Sequence, residues 1–412
     1  MAAIPSTSLP AQPSPTTQLG PGFVAAVTAL TLMGPFASDA VLPALPMIAA
    51  EFETTADRAQ LTITGATFGV AIGQLILGTL SDAWGRRRLL LAGGIGLVVA
   101  AALAAVAPSI ELLIAASALL GIAGAAGLAL GRAVLADRFS GGVLNRAYSL
   151  WGAAIGVAPM AAAFGGALLL SAAGWRSIFW VLAFLGAVTL LLTVMWMPET
   201  HPAERRARAS WRAFGAGIAE VLRSREFLSG ALVTWFGFAA VFAYISASPF
   251  ILQSMLGFTP VAFSLVLVAD GVGLIITGAI AARLATAISP HWLIAMGLAI
   301  ATVGAVVAVF AVAMDAVNPW TMVASMVLIG ASMGFVFGSA TTLAVSGRPQ
   351  LTGTALALMG SVQFIFAGIA APLVGIAGED SVVPFAVVAT VAIGCAWFGL
   401  SLAGGWRAGG RR

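Results

Sequence analysis

The residues GTLSDAWGRRR, at positions 78–88, place one acid and three consecutive arginines between two long apolar runs. Both flanking runs are nearly free of charge, and a helix that crosses a bilayer needs about 20 such apolar residues. A segment that carries Asp82 and three arginines therefore has to lie at a membrane surface. The sequence predicts a charged turn between two membrane-spanning helices.

The composition of the whole chain indicates the same class of protein. Of its 412 residues, 60% are hydrophobic and only 8% are charged, whereas soluble domains carry about 25% charged residues. The mean hydropathy is +1.05. We therefore expect an all-α integral membrane protein that lies in a lipid bilayer.

Apolar runs separated by charges or by proline and glycine turns number twelve, six in each half of the chain. The second half is less sharply divided than the first, so eleven spans are an alternative. The predicted spans lie near residues 22–46, 58–80, 89–108, 110–135, 146–171, 177–198, 227–251, 260–282, 291–314, 320–344, 353–376 and 382–404.

This division predicts two six-helix halves joined by one polar segment. Short motifs recur at an offset near 200 residues, such as Leu120–Gly124 with Ile329–Gly334, which predicts that the halves are pseudo-symmetric. The expected domains are a disordered cytoplasmic tail at 1–21, a first half at 22–198, a cytoplasmic central loop at 199–226, a second half at 227–404 and a cytoplasmic tail at 405–412.

The basic residues predict the orientation of the chain. All 19 are arginines, and the absence of lysine excludes a Walker A loop and Schiff-base chemistry. With the N terminus inside, sixteen arginines fall in cytoplasmic turns, the central loop and the C-terminal tail, against Arg58 and Arg176 outside. The positive-inside rule then places both termini in the cytoplasm. Because the arginines flank apolar spans, they do not indicate a nucleic-acid partner.

The central loop contains an amphipathic run that begins at Trp211. A helix lying on the inner leaflet fits this pattern, and a solvated linker is an equally good interpretation.

Charges within the predicted spans are the main functional signal. An ionised side chain at the bilayer centre costs about 2.5–3.5 kcal/mol on insertion scales, so it is expected to face a cavity. The candidates are Asp39, Arg132 and Asp270. The alternatives are an interfacial carboxylate for Asp39, which lies late in its span, a snorkelling side chain for Arg132 and a buried neutral acid for Asp270.

Two further sets of residues are candidates for conformational roles. Asp82 in the charged turn could pair with an arginine in only one conformation, which would make it a gating residue. In the fifth span, Pro159 removes a backbone hydrogen bond and is expected to bend the helix, while Gly156, Gly165 and Gly166 would let another helix approach closely. A solvated turn and ordinary small-residue packing are the corresponding alternatives.

The sequence motifs that could indicate an enzyme or a metal site are weak. The G-x-S-x-G match at Gly330–Gly334 lies inside an apolar helix rather than on a strand–turn–helix. His201 and His291 have no metal-ligand spacing. The sequence therefore predicts neither an enzyme nor a metal site.

The chain resembles the Bcr/CflA-type drug-resistance transporters of the major facilitator superfamily over nearly its whole length. The residues that carry the resemblance are Asp39 with Leu42–Pro46, Gln74 with Gly78–Arg87, Gly131–Arg132 with Asp137, Gly174–Trp180, Pro198–Thr200 and Tyr244–Phe250. Three departures are Ala158 before Pro159 where glycine is usual, Ala83 where arginine is usual, and the additional acid Asp270.

The resemblance implies a proton-driven antiporter in the bacterial cytoplasmic membrane that exports small, fairly apolar antibiotics such as chloramphenicol or bicyclomycin. It implies that Asp39 and Arg132 hold the usual first-span acid and fourth-span arginine, and that the gating motif comprises Gly78, Asp82, Gly85, Arg86 and Arg87. The expected partners are a drug, protons and lipid, with no cofactor beyond the proton gradient and a monomeric state.

Candidates for the substrate cavity are Phe36, Trp151, Tyr244 and Gln363, with lipid contact or ordinary packing as the alternative for the aromatic residues. A proton symporter that imports a metabolite is the main competing function. A membrane-embedded enzyme or sensor is a further class, against which the lack of clustered His, Cys or Ser/His/Asp residues argues.

Overall fold

The computed structural model describes residues 21–139, 141–201, 211–347, 351–376, 378 and 381–403. Its α-helices are α1 (Pro21–Asp39), α2 (Leu45–Glu51), α3 (Ala56–Trp84), α4 (Arg86–Ala105), α5 (Ile110–Arg138), α6 (Gly141–Ala173), α7 (Trp175–Trp196), α8 (Trp211–Val221), α9 (Arg225–Ser248), α10 (Pro260–Leu284), α11 (Pro290–Ala313), α12 (Pro319–Ser346), α13 (Thr352–Leu373) and α14 (Val383–Ser401). A 3-10 helix at Leu42–Ala44 and a π-helical segment at Pro249–Met255 complete the regular structure of this part of the chain.

Twelve stretches of the described chain are long and apolar enough to cross a membrane, which confirms the predicted number and excludes the alternative of eleven. The first and seventh stretches are longer than predicted, at Gly22–Glu51 and Arg225–Met255. The first was predicted to end at residue 46 and the seventh at residue 251. Pro43, Pro46 and Pro249 occupy the first turns of helical segments within these stretches, where a missing N–H costs nothing.

The termini and the central loop are described only in part. Of the predicted tail at 1–21, only Pro21 is described, as the first residue of α1, and the predicted tail at 405–412 lies outside the described residues. Within the central loop, α8 is helical and packs against α13. The predicted position of α8 on the inner leaflet stays a prediction, as do the domain boundaries.

The two halves repeat one packing pattern. In the first half α5 packs against α1, α3 and α4, and in the second half α12 packs against α9, α10 and α11. Likewise α7 packs against α1 and α4, while α14 packs against α9 and α11. The predicted pseudo-symmetric arrangement of two six-helix halves is therefore confirmed.

The halves meet through two helix pairs, α3 with α13 and α6 with α10. In the first pair, a Cβ atom at Gly368 would overlap the ring of Phe68. In the second pair, the Ser264 hydroxyl donates to the main-chain carbonyl of Ala163 at 3.1 Å. These contacts place α3, α6, α10 and α13 around the interior of the molecule.

Ion pairs define the two ends of the first half. At one end, called the Arg86 end, the Arg86 Nε lies 2.7 Å from Asp137 Oδ2. The Arg86 main-chain N–H also donates to Glu199 at 2.9 Å. Adjacent spans run in opposite directions, so the turns at the far side form a second end, called the Glu51 end.

Both arginines that were expected outside lie at the Glu51 end. Arg176 pairs with Glu51, and Arg58 pairs with Glu111 at 2.8 Å. Each is therefore neutralised by an acid from another helix.

The charged segment at residues 78–88 was predicted as a turn, but most of it is helical. Helix α3 continues to Trp84 and α4 begins at Arg86, so Gly85 alone reverses the chain. Gly85 has a φ of +87°, a left-handed conformation that glycine adopts without a steric penalty. Gly78 has open space at its Cβ position. The side chain of Asp82 lies outside the described part, so its gating role stays a prediction.

Helix α6 contains the residues of the predicted helix bend. Pro159 lies inside a helix that continues from Gly141 to Ala173, and a bend at this proline stays a prediction. A Cβ atom at Gly166 would overlap the carbonyl oxygen of Ala40, while Gly156 and Gly165 have open space. Of these three glycines, only Gly166 is at a close helix contact, since 100° per residue turns its neighbour away from Ala40.

Gly165 and Gly166 form a matched pair for testing this contact. We expect Gly166→Ala to destabilise the protein by about 1–3 kcal/mol, because the added methyl group overlaps main-chain atoms that cannot rotate away. Gly165→Ala should leave stability unchanged or slightly higher, since alanine favours helix. Thermal unfolding in detergent measures both variants, with the fraction of protein that stays monodisperse as the readout. Equal losses for the two variants would contradict the predicted contact.

Candidate functional site at the contact between the two halves

Asp39 lies near the middle of the first span rather than late in it. It is the last residue of α1, and the span continues for twelve residues to Glu51. Its side chain is 9% exposed and accepts a hydrogen bond from the Ser38 hydroxyl at 3.0 Å. The structure therefore excludes the alternative that Asp39 is an interfacial, solvated carboxylate.

Asp270 lies at the contact of three helices in the second half. The Tyr244 hydroxyl of α9 donates to Asp270 Oδ2, and Tyr244 itself is 1% exposed. The other oxygen, Oδ1, is buried and has no side-chain hydrogen-bond partner among the described residues, while the main-chain N–H of Ala331 lies beside the carboxyl group. It lies so close to Gly330 of α12 that any Cβ atom there would overlap it. Glycine at position 330 therefore makes room for the carboxyl group.

Helix α6 lies between these two acids. Its residue Gly166 contacts Ala40, next to Asp39, and its residue Met160 contacts Gly271, next to Asp270. Six residues of helix separate the two contacts, which is about 9 Å along the axis. Asp39 and Asp270 therefore each lie next to a residue that packs against α6, at neighbouring levels of that helix, and the Asp270 contact joins the two halves.

Arg132 lies elsewhere. Its guanidinium group is exposed and stands over the ring of Trp151 at 4.9 Å. The Trp151 indole donates to the Thr31 hydroxyl at 2.9 Å, and Thr31 precedes Asp39 by eight residues, or about 12 Å of helix. Asp137 is paired with Arg86 instead. The structure does not bring Arg132 to Asp39 or Asp270.

The four residues predicted to line the substrate cavity also lie in different places. Trp151 lies beside Arg132, in a buried cluster toward the Arg86 end. Phe36 is half-buried one helical turn before Asp39, and Tyr244 contacts Asp270. Gln363 is half-buried on α13. These residues therefore do not form a single group.

Sequence reasoning missed an aromatic cluster in the second half. Phe238 of α9 contacts Phe242, Phe337 and Phe364, with ring centroids 4.8, 6.0 and 5.3 Å apart. The cluster joins α9, α12 and α13. No sequence signal marks it, because its members are ordinary phenylalanines distributed over three apolar helices.

A pair of glutamines crosses between the halves at the Glu51 end and was also missed. Gln60 of α3 donates its side-chain amide to the carbonyl of Ser246 at 3.1 Å. In the opposite direction, Gln253 of the π-helical segment donates to the carbonyl of Pro43 at 3.1 Å. Nearby, Gly375 lies against the main chain of Asp57. These contacts close the Glu51 end.

Gln253→Ala should loosen this closure. Loss of one amide–carbonyl hydrogen bond, worth about 0.5–1.5 kcal/mol, should raise the population of molecules open at the Glu51 end by about two- to tenfold. With Cys395→Ser removing the single cysteine, Ser246→Cys provides a buried reporter whose alkylation by a maleimide measures opening.

The control reporter is Asp315→Cys, at an exposed position of the same end. Its alkylation rate should be the same with and without Gln253→Ala. An unchanged rate at position 246 would show that the glutamine does not hold the end closed.

Comparison with known proteins places this geometry in a family. Residues 27–372 match the family model described as Major Facilitator Superfamily. The MFS-type transporter YdgK of Bacillus subtilis is 34% identical over 377 residues, covering 90% of this chain and 93% of its own. The bicyclomycin resistance protein homolog of Haemophilus influenzae is 26% identical over 365 residues, covering 88% and 91%.

Solved structures agree on the fold. A bacterial homolog of the human lysosomal transporter Spinster, in an inward-facing and unoccupied conformation, superimposes with a TM-score of 0.70 at 14% identity. The match covers 94% of this chain and 97% of the other. At this identity the likeness concerns the fold alone. The match to the family model and the bicyclomycin resistance homolog confirm the resemblance to Bcr/CflA-type transporters.

Proposed function

The chain belongs to the Major Facilitator Superfamily, and we propose that it is a proton-coupled antiporter exporting small, fairly apolar antibiotics such as chloramphenicol or bicyclomycin. The observation that carries this proposal is a pair of acids inside the spans beside α6: Asp39, which is buried, and Asp270, whose Oδ1 atom is buried. Carboxyl groups in membrane spans are costly and mark proton pathways. The relative named as a bicyclomycin resistance protein homolog supports the class of substrate.

The proposed mechanism is alternating access. A carboxyl group at the half–half contact is better accommodated in its neutral form when the contact is closed and dry, and in its ionised form when it is wet. Protonation from outside neutralises Asp39, and a drug entering from the cytoplasm or inner leaflet favours release of the proton. Coupling follows because the two ligands prefer opposite charge states of one group.

The proposed orientation places the Arg86 end in the cytoplasm of a bacterial cell, with both termini on that side, since sixteen of the 19 arginines of the sequence are expected there. The glutamine contacts at the Glu51 end then close the outer side. Arg132, exposed and stacked on Trp151, is proposed to hold a substrate oxygen on the cytoplasmic side, because arginine keeps its charge in every state. A monomer without a cofactor other than the proton gradient is proposed as the active form.

Asp39→Asn tests the proton site. Asparagine fills nearly the same volume but cannot bind and release a proton, so export driven by a pH gradient should fall to the level of vesicles without the protein. The measurement is chloramphenicol accumulation by inside-out vesicles with an acidic lumen.

The matched control is Asp315→Asn. Asp315 is exposed in the turn before α12 with a φ of +51°, a conformation that asparagine tolerates. This variant should retain full accumulation. Full activity of Asp39→Asn in a correctly inserted protein would remove Asp39 from the mechanism.

The direction of transport separates the antiporter from the competing symporter. In the same inside-out vesicles, an antiporter accumulates drug while protons leave the acidic lumen, so an uncoupler should abolish accumulation. A symporter would instead drive its substrate out of the lumen together with the protons. Tests of bicyclomycin, chloramphenicol and a fluorescent cation in parallel identify the substrate class, and failure of all three to respond to the gradient would overturn the proposal.

A further inference from the structure

Tyr244 is the one tyrosine of the chain that lies deep inside the contact between the halves. The chain has two tyrosines, and the other, Tyr148, donates to the main-chain carbonyl of Arg132 at 3.2 Å near the Arg86 end. Tyr244 instead donates to a carboxylate, Asp270. A hydrogen bond from a hydroxyl group is stronger when its acceptor is charged.

The hydrogen bonds of Asp270 are incomplete for an ionised group. An ionised carboxylate accepts about four hydrogen bonds, and among the described residues Tyr244 supplies the one side-chain donor to it. Oδ1 is buried against Gly330, and the main-chain N–H of Ala331 is the one further donor beside the carboxyl group among the described residues. A proton on Oδ1 removes the charge while Oδ2 continues to accept from Tyr244. The site therefore accommodates one proton without rearrangement of its neighbours.

Asp39, from the other half, is the second acid near this site. Its neighbour Ala40 and the neighbour of Asp270, Gly271, both contact α6, at positions about 9 Å apart along the helix axis. Like charges in a medium of low dielectric constant repel each other appreciably over such distances. Protonation of one therefore favours ionisation of the other.

No basic side chain on the packed helices offsets this repulsion locally. The sequences of α12, α13, the 3-10 helix and the π-helical segment contain no charged residue. Arg283 of α10 lies thirteen residues beyond Asp270, about 20 Å along the helix. The remaining titratable groups on α6, α9 and the elements packed against α6, α9 and α10 lie toward the two ends or were described above: Glu111, Arg132, Asp137, Arg138, Arg146, Tyr148, Arg176, Arg225, Glu226 and Cys395.

We infer that Tyr244 is a positioning residue that joins Asp270 and Asp39 into one proton-binding unit spanning both halves. This inference rests on the proposed proton coupling and extends it. One acid of the unit belongs to each half, and alternating access must open the contact between the halves. When the halves separate, Asp39 moves away from Tyr244 while Asp270 stays bonded to it. Occupancy of the unit by a proton then depends on which end is open.

Tyrosine resonances test the unit directly. Full-length protein in nanodiscs, labelled with ¹³Cζ-tyrosine, gives two resonances, and Tyr148→Phe assigns them. We expect the Tyr244 resonance to shift with pH, and the shift to disappear in Asp270→Asn. In Asp39→Asn the midpoint of the shift should move to lower pH, because a repelling charge is gone.

A Tyr244 resonance that stays constant from about pH 5 to pH 9 in the unmodified protein would overturn the inference, without any dependence on how a variant folds. So would a pH-dependent shift that persists in Asp270→Asn, or one whose midpoint Asp39→Asn leaves in place.

Transport provides the second readout. Tyr244→Phe removes the donor that favours ionised Asp270, so the pH profile of drug accumulation should move up by roughly one to two pH units. The control is Thr234→Val on the same helix, which deletes a buried hydroxyl that bonds only to its own helix at Gly230. It should leave the profile in place.

These outcomes separate the inference from the proposed function. If Asp39→Asn abolishes export while Tyr244→Phe leaves the pH profile unchanged, the proton-coupled function stands and the role of Tyr244 is wrong. If the Tyr244 resonance titrates as expected but no compound moves in response to a gradient, the unit exists and the function is wrong.

Discussion

The cost of placing charge in hydrocarbon governs this structure more than any other interaction. With only 8% of residues charged, the chain sorts them strictly between the two ends and the interior. At the ends, arginines pair with acids from other helices, as Arg86 does with Asp137 and Arg176 with Glu51. In the interior, each remaining charge has a specific neighbour: Ser38 for Asp39, Tyr244 for Asp270 and the Trp151 ring for Arg132.

Close backbone contact supplies the second requirement. Lipid is as apolar as the helices, so association depends on packing rather than on removal of apolar surface from water. Gly127 of α5 lies against the carbonyl of Leu30, Gly121 against that of Ala66, and Gly166 of α6 against that of Ala40. In the second half Gly330 serves a different purpose, because a carboxyl group occupies the space its missing side chain leaves. One residue type thus builds both the scaffold and the site.

The sequence predicted the fold well and the site only in part. Length and hydropathy determine the number of spans, and the repeated motifs indicated two halves, because both signals are local in the chain. The depth of Asp39 was misjudged since Pro43 and Pro46 resemble the end of a span, yet begin new helical turns. The bond between Tyr244 and Asp270 joins different helices, and the choice of Gly166 over Gly165 depends on the rotation of α6. Neither can be read from a single sequence.

The placement of the acids on separate halves has a mechanical consequence. Two carboxyl groups on one rigid half would keep their separation in every state, so their mutual repulsion could not change as the transporter opens. Asp39 on α1 and Asp270 on α10 belong to halves that meet through α6 and close through Gln60 and Gln253. Any rotation that breaks these contacts also alters the distance between the acids. Their repulsion is weakest when the halves part, so separation favours ionisation and closure favours a bound proton. A transporter needs this relation between shape and charge in order to exchange a proton for its substrate.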